Sequence, residues 1–268
     1  MRLLLAILLI VTIGINTSTA QTTPFVLGET QQFFSSILNE TRTLNIYLPD
    51  GYTAAANTRY PVIYLLDGSA NEDFIHIAGI IQFLTMIKQQ PPAILVGIAN
   101  SDRKHDFTFP TTVKKDKDDF PTTGGSEKFI RFLDKELKPY VQQHFHTNDT
   151  STLIGQSLGG LLASEIVLKQ PAMFNNYVIV SPSLWWDQES LLKQAGKLLA
   201  ASPAVHVSVF VTVGKEGEKM EAPARQLGGL LKDKPGMYVN FEPLPEETHL
   251  TILHNAVYKA LQWLNGVK

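Results

Sequence analysis

A doubly wound α/β fold, its sheet mostly parallel with an antiparallel hairpin at one edge, is what this sequence predicts, on three observations. Short β-rich apolar runs alternate with amphipathic helical stretches. Four of those runs are nearly unbroken in apolar residues, as strands covered on both faces are. In the middle of the chain a strand runs into Gly155-Gln156-Ser157-Leu158-Gly159 and a helical run leaves it.

The elements come in order along the chain. Arg2, the apolar run Leu3–Ile13 and the small residues Ser18-Thr19-Ala20 have the layout of a cleaved leader, so residues 1–20 are set apart from the fold. The run is short for a bilayer span, and no membrane insertion is expected of the remainder. Residues 21–268 then form one domain of a size that buries an ample core. Residues 30–38 and 42–48 read as a hairpin about the turn Asn39-Glu40-Thr41. Strands come next at 62–66, 93–98, 152–154, 177–180, 207–213 and 237–241. Phe129, Ile130, Leu133, Leu137, Tyr140 and Val141 form one helical stripe, and Leu253, Ala256, Val257, Ala260, Leu261 and Leu264 another. Residues 101–125 are rich in charge, proline and threonine with little periodicity, and read as a lid or substrate loop. The charge run Lys114–Asp119 within it reads as solvated.

Composition narrows the chemistry. The 268 residues carry a net charge of −2 and no cysteine. Disulfides, cysteine nucleophiles and thiolate metal sites are excluded. The charge balance has no nucleic-acid footprint and no polybasic membrane patch. His144 and His146 alternate as ligands on a strand do, but the sequence offers no third ligand, so surface histidines are the better reading and no metal is expected.

In a parallel α/β sheet, functional groups gather beyond the carboxyl ends of the strands. Gly-x-Ser-x-Gly between strand and helix is the layout of a nucleophile elbow, which lifts Ser157 above the sheet. A serine hydroxyl needs a base, and the base needs a third group to orient it. His206, His249 and His254 come after Ser157. His206 starts a strand and His254 lies inside the last helix, whereas His249 sits in the loop between the last strand and that helix. For the acid, Glu216 is preferred over Glu218 because it lies nearer its strand end, with Asp187 an outsider. Oxyanion donors are expected from the main-chain N–H groups of Leu158 and Ser69, with Gly68 allowing close approach.

Taken together, Tyr64–Gly68, Val96–Asn100 with Arg103 and Asp106, Gly124-Gly125 through Tyr140, the elbow, Ser181-Pro182-Ser183-Leu184-Trp185-Trp186 and His249 resemble the α/β-hydrolase superfamily. More narrowly they resemble its putative-esterase family, in the branch of esterase D and the enterobactin-type siderophore esterases. The resemblance implies a serine hydrolase that cleaves a small-molecule carboxylic ester through an acyl-enzyme, without metal or organic cofactor. The same residues serve an acyltransferase equally well, and a silent binding protein on this scaffold would be marked by loss of Ser157 or His249. Asp67, Gly68, Asn100, Arg103, Trp185 and Trp186 are the candidate substrate contacts. Of the two tryptophans one is expected at the site and one in the core, and for Arg103 the competing partner is Asp106.

Overall fold

The computed structural model describes residues 20–55 and 57–266; the predicted leader, apart from Ala20, lies outside them. Eight strands form one sheet: β1 (Glu29–Ser35), β2 (Glu40–Tyr47), β3 (Tyr60–Leu65), β4 (Ile94–Ile98), β5 (Thr147–Gln156), β6 (Asn176–Val180), β7 (Val207–Thr212) and β8 (Met237–Phe241). Their order across it is β1-β2-β4-β3-β5-β6-β7-β8. β1 pairs antiparallel with β2, and β2 with β4; every other pairing is parallel. The predicted mixed sheet with its antiparallel edge is therefore the observed one. The hairpin turn falls earlier than the sequence suggested, at Ser36–Asn39, with Asn39 at φ 58°. Asparagine tolerates that left-handed geometry, and Glu40 and Thr41 join the ladder opposite Ser35 and Phe34.

The unbroken apolar strands sort their side chains onto the two faces with period two. Val62, Tyr64, Leu153, Tyr177, Ile179, Val209 and Val211 face one core cluster. Ile63, Leu65, Ile154, Val178, Val180 and Phe210 face the other. The second face is covered by α1 (Phe74–Met86) and, at the C-terminus, a helix whose buried stripe is Ile252, Leu253, Ala256, Val257, Ala260 and Leu261.

Segment 101–125 is not the plain loop expected. It holds two short helices, α2 (Arg103–Asp106) and α3 (Lys114–Asp119), and buries Asp106, Phe107, Thr108 and Thr111. The charge run is solvated as expected but helical, with ion pairs Lys114–Asp118 and Lys115–Asp119 at i,i+4 spacing. The first predicted helical stripe splits into α4 (Ser126–Phe132), a π-turn (Leu133–Leu137) and α5 (Lys138–His144). Pro139, without an N–H, cannot bond to the carbonyl four residues back, and the wider turn accommodates it. His144 Nδ1 bonds to the Tyr140 carbonyl and His146 Nε2 to that of Ala54, so the two rings serve separate contacts.

The remaining helices are α6 (Leu158–Lys169), α7 (Ser190–Ala201), α8 (Glu218–Lys232) and α9 (Ile252–Leu264). Residues 158–168 of α6 are all buried, so the elbow helix is held on every side. β4 and β5 lie on opposite sides of β3, which makes the carboxyl ends of these three strands the point where the winding reverses.

Candidate active site

The elbow is held in a left-handed backbone: Ser157 has φ 59° and ψ −117°, a strained geometry for a residue with a side chain. The strain is fixed by its surroundings. Ser157 N–H donates to Val180 O, while Ser157 O accepts from Leu161 and Ser183 N–H. A Cβ on Gly155 would stand 2.4 Å from Gly159 O, so the tight strand-to-helix crossing requires glycine there. Gly68 does the same on the neighbouring loop, where a Cβ would lie 2.4 Å from Gly97 Cα.

Two adjoining cavities of about 420 and 380 Å³ open above these strand ends, and Ser157 and His249 line both. Cavities of about 460 and 530 Å³ involving Gln90, Pro91 and Pro92 lie away from these strand ends and hold no serine–histidine pair. The turn of residues 248–251, between β8 and α9, brings His249 over the elbow. His249 Nδ1 is 2.6 Å from Glu216 Oε2, the contact of an N–H donating to a carboxylate. The other carboxylate oxygen, Oε1, accepts from Ser181 Oγ at 2.5 Å and from Gly214 N–H at 3.1 Å. Burial alone would raise the Glu216 carboxyl above its usual range, but the bonds from His249, Ser181 and Gly214 outweigh it and hold the group below that range. Glu218, the alternative acid, is the first residue of α8 and makes no bond to His249; Asp187 is engaged by Thr111 and Thr112.

Ser157 Oγ lies 3.3 Å from Ser183 Oγ, and this is its hydrogen bond among the described residues. Serine–base contacts are often loose before substrate binds. Leu158 is the first residue of α6, and its N–H belongs to the set that a helix leaves without an internal partner. No carbonyl among the described residues takes the N–H of Ser69.

The expected substrate contacts divide. Asp67 lines the 420 Å³ cavity but is bound to Arg103, which donates Nε–H to Oδ1 at 2.6 Å and Nη2–H to Oδ2 at 2.8 Å. Arg103 therefore pairs with Asp67 and not with Asp106, whose partner is the buried Arg42. Asn100 donates to Asp67 Oδ1 at 2.7 Å and lines neither cavity, so it stands behind the cleft. Gly68 also lines neither. Trp185 lines the 380 Å³ cavity, with Lys219 Nζ 4.6 Å from its ring centre and Lys215 nearby. Trp186 is a correction to the list of contacts: it is 0% exposed, and its Nε1–H donates to Phe109 O. Of segment 101–125, Arg103 is the residue that lines these cavities.

Sequence reasoning assigned no role to Gln156, Ser181 and Ser183. Gln156 is the first variable position of the Gly-x-Ser-x-Gly pattern, and both serines stand in the loop after β6; their adjacency to the strand ends was the available signal.

The fold and this site define an α/β-hydrolase with a serine and a carboxylate-bound histidine in one cleft. The chain matches the family described as "Putative esterase" over residues 35–230 and belongs to it. It is a carboxylic ester hydrolase related to the siderophore-esterase branch. It is 28% identical over 263 residues to the ferri-bacillibactin esterase BesA of Bacillus subtilis, covering 89% of this chain and 90% of that one. Among solved structures, an IroE-like serine hydrolase from Shewanella oneidensis superimposes with a TM-score of 0.81 at 28% identity, covering 89% of this chain and 80% of that one. The BES protein from Bacillus cereus does so with a TM-score of 0.78 at 29% identity, covering 93% and 98%.

Proposed function

We propose that this protein is a serine esterase working through an acyl-enzyme, with Ser157 as nucleophile, His249 as base and Glu216 as the orienting acid, on siderophore-type esters. The observation that carries the reading is the 2.6 Å contact of His249 Nδ1 with the Glu216 carboxylate, in a cleft that Ser157 also lines. With Nδ1 protonated and bound to Glu216, Nε2 is left as the proton acceptor. Ser157 Oγ adds to the ester carbonyl carbon and its proton passes to His249 Nε2. The carbonyl oxygen becomes an oxyanion facing the N–H groups of Leu158 and Ser69. Collapse breaks the carbon–oxygen bond to the alcohol, which leaves with the proton from His249. Water then repeats the sequence on the acyl-enzyme and frees the acid and Ser157. The depressed Glu216 carboxyl stays ionised throughout, so it orients His249 and balances its positive charge without taking the proton.

The siderophore substrate class is supported by the relatives, among them a ferri-bacillibactin esterase, and by two adjoining cavities that share Ser157 and His249. Hydrolysis of p-nitrophenyl acetate and butyrate by wild type beside Ser157→Ala tests the mechanism. The variant is expected to lose about 10⁴-fold or more in kcat; equal rates in the two proteins would overturn it. Ferric and apo trilactone siderophores, feruloyl esters and acetylated sugars, assayed with the same pair, test the substrate class. We further propose export by the leader; a mature chain starting elsewhere than near Gln21 would refute the cleavage site.

A further inference from the structure

Gln156 closes β5 immediately before Ser157, half-buried, and its side chain lines the 420 Å³ cavity. Its Nε2–H donates to the main-chain carbonyl of His249 at 2.5 Å. Its main-chain carbonyl accepts from Arg103 Nη2 at 3.3 Å. Arg103 is clamped by both oxygens of Asp67, a carboxylate that is 7% exposed and also bound by Asn100. These bonds form one chain across the cleft, joining the loops at the carboxyl ends of β3, β4, β5 and β8.

The histidine is thereby held at two points. Glu216 holds the ring, fixing its tautomer and tilt, and Gln156 holds the main chain from which the ring projects. The second point matters because Ser157 Oγ bonds to Ser183, so no standing serine–histidine bond fixes their separation. From this geometry we infer that Gln156 is a positioning residue that sets the approach of the His249 ring to Ser157, with the Asp67–Arg103 pair keeping Gln156 in place. The inference rests on the reading of His249 as the base. Misplacing a reacting group by about 1 Å can cost on the order of 10²-fold in rate, which sets the upper scale for losing such a bond.

The test compares kcat and KM for p-nitrophenyl acetate from about pH 5.5 to about pH 9 in wild type, Gln156→Met, Gln156→Glu and Ser157→Ala. Methionine keeps the length of the side chain and removes the donor. Gln156→Met is expected to lose about 10- to 100-fold in kcat at every pH, with KM within about twofold. In Gln156→Glu an ionised carboxylate faces the His249 carbonyl oxygen, and on protonation it regains an O–H that donates there. Its activity relative to wild type is expected to rise as pH falls. Asp67, Glu72, Asp73, Arg103 and His249 line the same cavity, and the new charge beside His249 favours the protonated ring and so lowers the ratio as pH falls, the direction opposite to the one expected from the regained donor. A role in packing alone leaves only that electrostatic effect, and the ratio then falls as pH falls. Gln156→Met within about twofold of wild type in kcat, or a Gln156→Glu ratio that is flat or falls as pH falls, overturns the proposal. Should Gln156→Met fail to fold, the Gln156→Glu ratio decides it. Ser157→Ala keeps the two readings apart: full activity there sinks the serine mechanism, whereas an inactive Ser157→Ala beside a normal Gln156→Met sinks only the role of Gln156.

Discussion

Glu216→Gln keeps the shape of the side chain and removes its charge, and the groups around it decide how the new amide sits. Ser181 Oγ–H and Gly214 N–H both point at Oε1, so the oxygen of the amide stays on that side. The amide NH₂ then faces His249 Nδ1, where the carboxylate oxygen Oε2 stood at 2.6 Å. Two donors cannot share that gap, so Nδ1 gives up its proton and the ring carries it on Nε2 instead. Nε2 is the nitrogen that must accept from Ser157, and in that tautomer it has no free lone pair. A wrong-tautomer serine hydrolase loses about 10⁴-fold in kcat. Glu216 is 4% exposed at its side chain, so water has little access with which to relax the arrangement. The assay is steady-state hydrolysis of p-nitrophenyl butyrate at neutral pH, with substrate affinity expected to change little. A Glu216→Gln enzyme within about tenfold of wild type in kcat refutes the tautomer argument and removes Glu216 from the mechanism.

The same carboxylate makes stability depend on pH. Its folded pKa lies below the ordinary 4.5, so it stabilises the folded chain above that value and the benefit is lost as pH falls through the lowered one. The difference in urea stability between wild type and Glu216→Gln should therefore shrink from about pH 6 to about pH 3, and a pH-independent difference would contradict the linkage. The tryptophan pair separates specificity from folding. Trp185→Ala is expected to lower kcat/KM for feruloyl esters about tenfold relative to p-nitrophenyl acetate, with little change in unfolding. Trp186→Phe, which removes the donor to the half-buried Phe109 carbonyl and leaves space in the core, is expected to cost about 1–3 kcal/mol in urea unfolding with specificity unchanged.

What was legible in the sequence and what was not divides at the range of the interaction. The sheet could be read because a strand covered on both faces must be apolar along its whole length, and such runs need no partner to be recognised. The elbow could be read because it is one turn long: glycines at positions 155 and 159 and the strand–turn–helix order are all local. The placement of the histidine loop came from strand order alone. The π-turn before Pro139 and the helices within residues 101–125 were missed because their signals are weak, one a single missing N–H and the others runs of four and six residues.

Pairings between loops had no such signal. Glu216 and Glu218 are two residues apart, yet the start of α8 at Glu218 turns one away and leaves the other against His249. Arg103 and Asp106 are adjacent on one helical turn, but each finds its charge partner on a different strand or loop, Asp67 and Arg42. Trp185 and Trp186 are neighbours of one chemistry that both pack on Phe120, and only the tertiary structure buries Trp186 with its Nε1–H on the Phe109 carbonyl and leaves Trp185 lining the cleft. The sequence by itself determined the layers, the strand order's active end and the elbow, because those arise from periodicity and local backbone sterics. The tertiary structure alone decided which acid, which ion pair and which tryptophan, because a hydrogen bond or contact of a few ångströms depends on side-chain direction, and that is set by elements far apart in the chain.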